Sequence, residues 1–421
     1  MNNIPITLYI HIPWCLKKCP YCDFNSYTSS VSNIPEEAYI DALLKDLQND
    51  AVRWLQGRAI SAIYIGGGTP SLISSKTWEN FFQVLQQKIS FSSDMEITLE
   101  ANPATFDLNK AVAWRSLGIN RISLGVQSFQ DQKLQSLGRI HDAAQALMAV
   151  DYLQKAGFFN FNIDLMYGLP QQNLSDAIFD LKTALNLGAT HLSWYQLTIE
   201  PNTVFGRQKP VLPNEDLLWQ MQEEGVAVIA DSGMQQYEIS AYSKSHYRCQ
   251  HNYNYWQFGD YLGIGAGAHG KITDTVSSEI IRYSKLANPQ SYILNENRFP
   301  GLAQIDSSSL DFPLDGNERG SQQRGKPKCE EYISSPDNRN ATCQVVSQNE
   351  LPLEFMLNAL RLHEPIPIDL FTERTFLDLT KINKILKSAQ EKKLLEYNSS
   401  HFITTALGRR FLDDLLLLFA I

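Results

Sequence analysis

The first 233 residues alternate short β-rich runs with helical stretches six times, and this repeat constrains the fold more than any other feature. Strands are expected over 7–12, 62–65, 96–99, 121–126, 161–167 and 191–199. Helices are expected over 35–56, 76–89, 108–117, 143–156, 174–187 and 215–231. Gly57, Gly118, Gly157, Gly188 and Gly233 stand at helix ends, where a left-handed cap is required. Units of this kind build a parallel sheet with helices outside. Right-handed crossovers curl six of them into a partial barrel or an open sheet. Period-two alternation of apolar and polar residues is clear only in 121–126, so strand boundaries are the least defined part of the reading.

Parallel α/β folds carry their chemistry at the carboxyl ends of the strands. Unusual residues recur at those positions here. A cysteine loop follows strand one, and Gly66-Gly67-Gly68-Thr69-Pro70 follows strand two. Glu100-Ala101-Asn102-Pro103 ends strand three and Gln127-Ser128-Phe129 ends strand four. Asp164 lies within strand five, and Thr198 and Glu200 end strand six. Alone, the glycines read as a tight turn, Glu100 as a helix N-terminal or solvated carboxylate, and Gln127 and Asp164 as core hydrogen-bonders. Together on one rim they point to one ligand site at the strand tips. Gly265-Ala266-Gly267-Ala268-His269-Gly270 matches Gly-x-Gly-x-x-Gly, yet no βαβ unit surrounds it. It is read as a glycine-rich strand passing close to a ligand, not as a nicotinamide site.

The loop itself is His11-Ile12-Pro13-Trp14-Cys15-Leu16-Lys17-Lys18-Cys19-Pro20-Tyr21-Cys22, a Cys-x3-Cys-x2-Cys pattern. Iron–sulfur clusters are held by cysteine thiolates, usually four. Three close thiolates hold three irons of a four-iron cluster and leave the fourth open to a small molecule. A zinc site would need a fourth ligand, and the nearest histidine, His11, lies on the preceding strand. Disulfides would need an oxidising compartment, and residues 1–5 carry no charged segment leading into an apolar one, so no secretory signal is expected.

The chain has 421 residues, 43% of them hydrophobic, enough for two or three domains with a large core. A formal charge of −9 argues against a nucleic-acid partner, since such binders carry a basic face. No run approaches the ~20 apolar residues that cross a bilayer, and the apolar end at 415–421 reads as a packed helix. Cys249, Cys329 and Cys343 are scattered, which fits a reduced, cytoplasmic setting.

These features resemble the radical S-adenosylmethionine (SAM) superfamily and, within it, the group that contains oxygen-independent coproporphyrinogen III oxidase and heme chaperones. The strings that carry the resemblance are Tyr9-Ile10-His11-Ile12-Pro13-Trp14-Cys15, Gly66-Gly67-Gly68-Thr69-Pro70, Gly125-Val126-Gln127-Ser128-Phe129, Leu137-Gly138-Arg139 and Asp164-Leu165-Met166-Tyr167-Gly168-Leu169-Pro170. The resemblance implies an α/β fold, a radical SAM partial (β/α)6 barrel followed by a smaller α+β domain. It implies that Cys15, Cys19 and Cys22 ligate a [4Fe–4S] cluster. Tyr9, Tyr21, Gly67, Gly68, Thr69, Glu100, Gln127, Arg139 and Asp164 would line the SAM site, with Thr198 and His269 at further contacts. The chemistry implied is one-electron reductive cleavage of the sulfonium, which needs an electron donor as partner. No catalytic residue is assigned.

Two departures separate the branches of this group. The oxidase has a further cysteine two residues after the third; here that position is Phe24. The oxidase also has a long N-terminal segment, where this chain has six residues before the first expected strand. His251-Asn252-Tyr253-Asn254-Tyr255-Trp256 matches a His-Asn-x-x-Tyr-Trp motif that marks the chaperone branch and is tied to heme binding. His251, Asn252, Tyr255 and Trp256 are therefore expected to associate with heme. Imidazole is a common axial ligand, and aromatic faces pack on a flat macrocycle. Read without the resemblance, the segment is a turn whose aromatics fill a core, with His251 a hydrogen-bonder; Cys249 is a rival thiolate ligand. The resemblance implies heme and recipient haemoproteins as partners, with oxidative decarboxylation of coproporphyrinogen III as the competing function.

The expected organisation is a core barrel over 1–233, a barrel-closing extension over 234–300, a flexible polar linker over 301–348 and a C-terminal domain over 349–421. The linker is rich in Ser, Gly, Pro and Asn. A helix over 353–362, another over 384–391, a strand over 402–404 and a last helix over 408–419 suggest a winged-helix type. Such modules often bind DNA, but Asp413-Asp414 beside Arg409-Arg410 makes packing on the barrel or on a protein the expected role.

Overall fold

A computed structural model describes residues 4–55, 57–89, 91–294 and 339–420. Six parallel strands lie side by side in chain order: β1 (Ile6–Ile12), β2 (Ile60–Gly67), β3 (Phe91–Ala101), β4 (Arg121–Gln127), β5 (Phe161–Tyr167) and β6 (His191–Gln196). Antiparallel β7 (Gln235–Glu238) and β8 (Ala241–Ser243) extend the β6 edge, with β8 paired to β6. On the other edge β9 (Asp260–Ile264) runs parallel to β1, followed by antiparallel β10 (His269–Asp274), β11 (Glu279–Lys285) and β12 (Asn340–Val345). The result is one 12-stranded sheet whose end strands, β7 and β12, do not pair with each other among the described residues.

The helices expected between strands form close to their expected bounds. They are α1 (Glu36–Asp50), α2 (Ser75–Lys88), α3 (Leu108–Ser116), α4 (Ala143–Lys155), α5 (Leu174–Asn186) and α6 (Glu215–Asp231). Asp142 with Gln145 and Asn173 with Asp176 form capping boxes that satisfy the first orphan N–H groups of α4 and α5. The five glycines read as caps all take positive φ. Helix α1 is shorter than the expected 35–56, because residues Ala51–Leu55 open into a π turn.

Both faces of the parallel strands are largely buried, the outer one apolar and the inner one largely polar, so the side chains alternate in kind along each strand. On β1, Ile6, Leu8, Ile10 and Ile12 are fully buried within the core that also takes Leu43, Leu47, Trp78 and Phe81 from the helices. Thr7, Tyr9 and His11 take the opposite face. That inner face continues with Tyr64, Glu100, Ser123, Asp164 and Ser193 on the neighbouring strands, which hydrogen-bond among themselves.

Two expectations need correction. Strand six ends at Gln196 rather than at 199, so Thr198 and Glu200 lie in the exposed segment beyond it. The Gly265–Gly270 run is mostly the hairpin turn from β9 to β10, not a strand, because Gly265 and Gly267 adopt positive φ. Of the stretch read as a flexible linker, residues 301–338 and Cys329 lie outside the described residues. Residues 340–345, by contrast, pair antiparallel with β11, Val345 opposite Ile281 and Cys343 opposite Tyr283, with a register shift between Ser284 and Lys285.

The C-terminal residues form α8 (Leu351–Ala359), α9 (Ile368–Thr375) and α10 (Thr380–Glu391) with a small sheet. In that sheet β15 (His401–Thr404) lies between β13 (Ile366–Pro367) and β14 (Leu395–Tyr397). Phe355, Phe371, Leu386, Phe402 and Leu415 make its core, and Phe258 of the barrel packs on Phe355 at 5.6 Å. The last expected helix is two short ones, Ala406–Arg410 and Leu412–Leu417, separated by a non-helical Phe411.

A buried ion triad fastens the β11 edge to the barrel. Lys285 Nζ lies 2.7 Å from Asp46 Oδ1 and 2.8 Å from Asp50 Oδ2, all three side chains being at most 4% exposed. Tyr292 and Tyr283 donate to the same two carboxylates. Removing one partner of a buried pair strands the others in low dielectric. Lys285→Met is therefore expected to cost about 3–5 kcal/mol, read as a lowered thermal midpoint. An unchanged midpoint would contradict the triad.

Candidate functional site

The cysteine loop hangs from the end of β1 and is held there from several sides. Trp14–Cys15 pairs in parallel with Tyr27–Thr28, which closes the loop at its base. Gly68 N–H donates to Ile12 O at 2.7 Å, and Tyr39 O–H donates to His11 O at 2.7 Å. His11 Nε2–H donates to Asn25 O at 2.8 Å, just past the third cysteine. Burial lowers the His11 pKa to about 4, so the ring is neutral, and its Nδ1 accepts from Tyr9 O–H at 3.0 Å.

Glycine is required where the strand-two tip meets this loop. At Gly67, φ is +111° and a Cβ would fall 2.6 Å from His11 Cε1. Gly138 also takes positive φ, and a Cβ there would lie 2.8 Å from Pro20 Cδ in the middle of the cysteine loop. This close approach brings the next residue, Arg139, to the thiols. Its Nη1 donates to Cys19 Sγ at 3.6 Å and its Nη2 to Gly125 O at 2.5 Å. Thr69 Oγ1 donates to Cys15 Sγ at 3.3 Å.

The remaining rim residues converge below the loop. Glu100 accepts from Tyr64 O–H at 2.8 Å and from Gly67 N–H at 3.2 Å. Burial is the main cause that lifts its pKa to about 7, with Asp164 adding to the rise and Tyr64, Gly67 and Arg121 opposing it. Asp164 accepts from Asn162 Nδ2 at 2.7 Å and Ser123 Oγ at 3.3 Å, and burial raises its pKa too. Gln127 has φ +73° at a register shift between β4 and β5, and it accepts from Tyr195 O–H at 2.9 Å. Positive φ at a non-glycine residue is uncommon, and here it accompanies the register shift. Asp180 fixes that turn by accepting from Ser128 Oγ and Phe129 N–H. Leu137, Met166, Leu169, Leu197 and Phe205, with Tyr21, form an apolar wall beside the loop.

Most of the expected SAM-site residues therefore share one rim. Thr198 is exposed past the end of β6, and His269 is exposed at the start of β10, near enough to His11 to help lower its pKa. The heme-motif residues lie on α7 (Gln250–Trp256), which passes beneath the barrel against β1 and β2. His251 is only 7% exposed and stacks on Tyr64 and Tyr9 inside the barrel, whereas Asn252, Tyr255 and Trp256 are partly exposed. Cys249 is fully buried and its pKa is pushed up to about 12 by desolvation, so it is an inert thiol at neutral pH. Tyr64, Tyr195, Ser123 and Asn162 were not singled out in the sequence, and their signal was the inner-face position on each strand; Asn25, in the loop past the third cysteine, carried no such signal.

The residues present fit an iron–sulfur cluster. Cys15, Cys19 and Cys22 are free and partly exposed on one loop. Among the described residues no three His, Cys, Asp or Glu side chains gather as a single metal ion requires. A cluster has no such requirement, because each thiolate meets a different iron. Arg139 Nε is buried without a partner, a spare donor beside the thiols for an anionic ligand group.

Comparison with known proteins agrees with this class. The Radical SAM superfamily matches residues 9–183, and the HemN C-terminal domain matches 346–411. The heme chaperone HemW of Haemophilus influenzae is 42% identical over 418 residues, covering 99% of this chain and 98% of the relative. The heme chaperone HemW of Escherichia coli is 41% identical over 415 residues, with 99% and 98% covered. The solved coproporphyrinogen III oxidase (HemN) from Escherichia coli superposes with a TM-score of 0.76 at 20% identity, covering 100% of this chain and 91% of that one, a likeness of fold. The chain belongs to the HemW family of the radical SAM superfamily.

If the three thiols share one cluster, Cys19→Ser will hold clearly less than four irons and four sulfides per chain after anaerobic reconstitution. Iron and acid-labile sulfide analysis measures this, and a full complement in the variant would contradict the assignment.

Proposed function

We propose that this protein is a heme chaperone that carries a SAM-bound cluster, holds heme, and passes it to recipient haemoproteins in a reduced, cytoplasmic setting. The observation that supports it most is the likeness along 98–99% of both chains to relatives named heme chaperone HemW. Phe24, 64% exposed at the lip of the cysteine loop, supports the same branch by standing where the oxidase has a further cysteine. Five described cysteines are free, and no described helix is long and apolar enough to cross a membrane.

Cys15, Cys19 and Cys22 would hold the [4Fe–4S] cluster, with Arg139 and Thr69 donating to sulfur. A cluster with SAM supplies one-electron reduction at the sulfonium, given an external electron donor. Glu100, once ionised, offers a carboxylate to the cationic cofactor. Tyr64 and Gly67 fix its two oxygens, and Asp164 and Gln127 present further acceptors on the same rim. The apolar wall around Tyr21 and Phe205 keeps water from one side of the loop. Heme would associate with the partly exposed side of α7, where Tyr255 and Trp256 pack edge to face at 4.7 Å. Trp256 Nε1 is buried there without a partner.

Anaerobically reconstituted protein given SAM and a reductant is expected to bind heme in titration and to leave coproporphyrinogen III unchanged. Turnover above a cluster-free control would overturn the chaperone reading in favour of the decarboxylase.

The raised Glu100 pKa fixes the sign of a pH dependence. Its carboxyl is mostly neutral below about 7 and ionised above. Affinity for the cationic cofactor should rise about tenfold from about pH 6 to about pH 8. The SAM-free protein should lose stability as pH climbs from the ordinary carboxylate range through about 7, since the folded state binds the proton more tightly. Glu100→Gln should flatten the affinity profile; a profile of the same slope in that variant would remove Glu100 as the titrating group.

A further inference from the structure

The heme motif does not point its histidine at the surface. Helix α7 lies beneath β1 and β2 and turns His251 into the barrel. The ring stacks on Tyr64 at 5.2 Å and 29° and on Tyr9 at 6.0 Å and 25°, with Tyr261 edge-on at 6.2 Å. Its Nδ1 is buried and has no hydrogen-bond partner. Two chains of hydrogen bonds start from the tyrosines it supports. Tyr64 O–H reaches Glu100 Oε1 at 2.8 Å, whose other oxygen takes Gly67 N–H. Tyr9 O–H reaches His11 Nδ1, whose Nε2–H holds Asn25 O at the foot of the cysteine loop.

We propose that His251 is a positioning residue of the SAM pocket: its ring sets the orientation of Tyr64 and Tyr9, and through them Glu100 and the base of the cysteine loop. This rests on reading the rim as the SAM pocket. The role uses the ring's face rather than its nitrogens. Stacked aromatic pairs fix ring planes as well as burying area, and a Tyr hydroxyl that donates to a carboxylate is useful only if its ring is held in plane. Burial lowers the His251 pKa to about 3, so the ring is neutral and adds no charge opposite Glu100. Because Nδ1 is buried, heme iron would reach it only if the packing around that edge of the ring opened.

The other end of α7 gives the positioning a second consequence. Tyr253 donates to Glu364, which also pairs with Arg248, and Trp256 lies under Arg361 at 4.3 Å. Phe258, two residues past the helix, packs into the C-terminal core. One short helix thus touches the pocket through His251 and the C-terminal domain through Tyr253 and Trp256.

The test uses cluster-loaded full-length protein and two titrations, SAM by calorimetry and heme by its absorption band. His251→Ala is expected to weaken SAM binding about tenfold at neutral pH, the scale of one lost charge-assisted hydrogen bond. It should also move the pH midpoint of SAM affinity upward, because a misplaced Tyr64 no longer favours ionised Glu100. His251→Phe keeps a flat ring without nitrogens and should restore both values towards wild type. Both variants should leave the heme band and heme affinity unchanged. Should the alanine variant fail to fold, His251→Leu, which keeps bulk without a flat ring, carries the test with the same expected loss and midpoint shift. The proposal is overturned if a folded His251 variant loses or shifts the heme band, or if SAM affinity and its pH midpoint are unmoved in the variant that lacks a ring. Wild-type protein that fails to bind SAM would instead overturn the pocket reading beneath it.

Discussion

Strand β1 is the constraint on which the rest of the structure depends. It lies between β2 and β9 at the middle of the sheet, and its side chains alternate strictly. Ile6, Leu8, Ile10 and Ile12 face the helices, while Thr7, Tyr9 and His11 face the barrel. A slip of one residue would exchange the two sets. It would put isoleucine against Gly67 and Glu100 and drive a neutral histidine into the aliphatic core. The loop that bears the thiols leaves from the end of this strand, so the register of β1 also fixes where the thiols stand.

The inner face is a polar network under a rim. From the floor upward, Tyr237 O–H donates to His191, which donates to Asn162, which donates in turn to Asp164 and Ser123. Gln250 N–H donates to Glu96, and Arg121 donates to Thr98. Buried polar groups are costly unless they find partners, and most here do. Among those without partners, Arg139 Nε lies beside the thiols and His251 Nδ1 lies inside the barrel. The raised pKa values of Glu100 and Asp164 have the same origin: burial, which their hydrogen bonds and the charge of Arg121 only partly offset.

Much of this was legible in the sequence because it depends on local chemistry. The glycines after five of the six helices mark boundaries through their own backbone freedom, whereas the capping boxes at Asp142 and Asn173 went unread. The rim positions were legible because Gly67, Glu100 and Gln127 stand at strand ends, whereas Gly138 and Arg139 came only through the resemblance. What escaped was whatever depends on contacts distant in sequence. Residues 340–345 look like linker by composition, and become a strand only because β11 offers an open edge. Thr198 extends an apolar run, but no ladder partner continues past Gln196. The side to which His251 turns could not be read from its motif, since that is set by Tyr9 and Tyr64, which are 242 and 187 residues away by their numbers.

The central claim is that three sulfurs at the mouth of this barrel hold a four-iron centre with one corner free for SAM. The most direct measurement is electron paramagnetic resonance of the reduced, anaerobically reconstituted protein before and after SAM is added. The account predicts a [4Fe–4S] signal whose shape changes on addition, since the cofactor joins the open iron. A four-iron signal that stays the same at saturating SAM, or no four-iron signal at all, would contradict it.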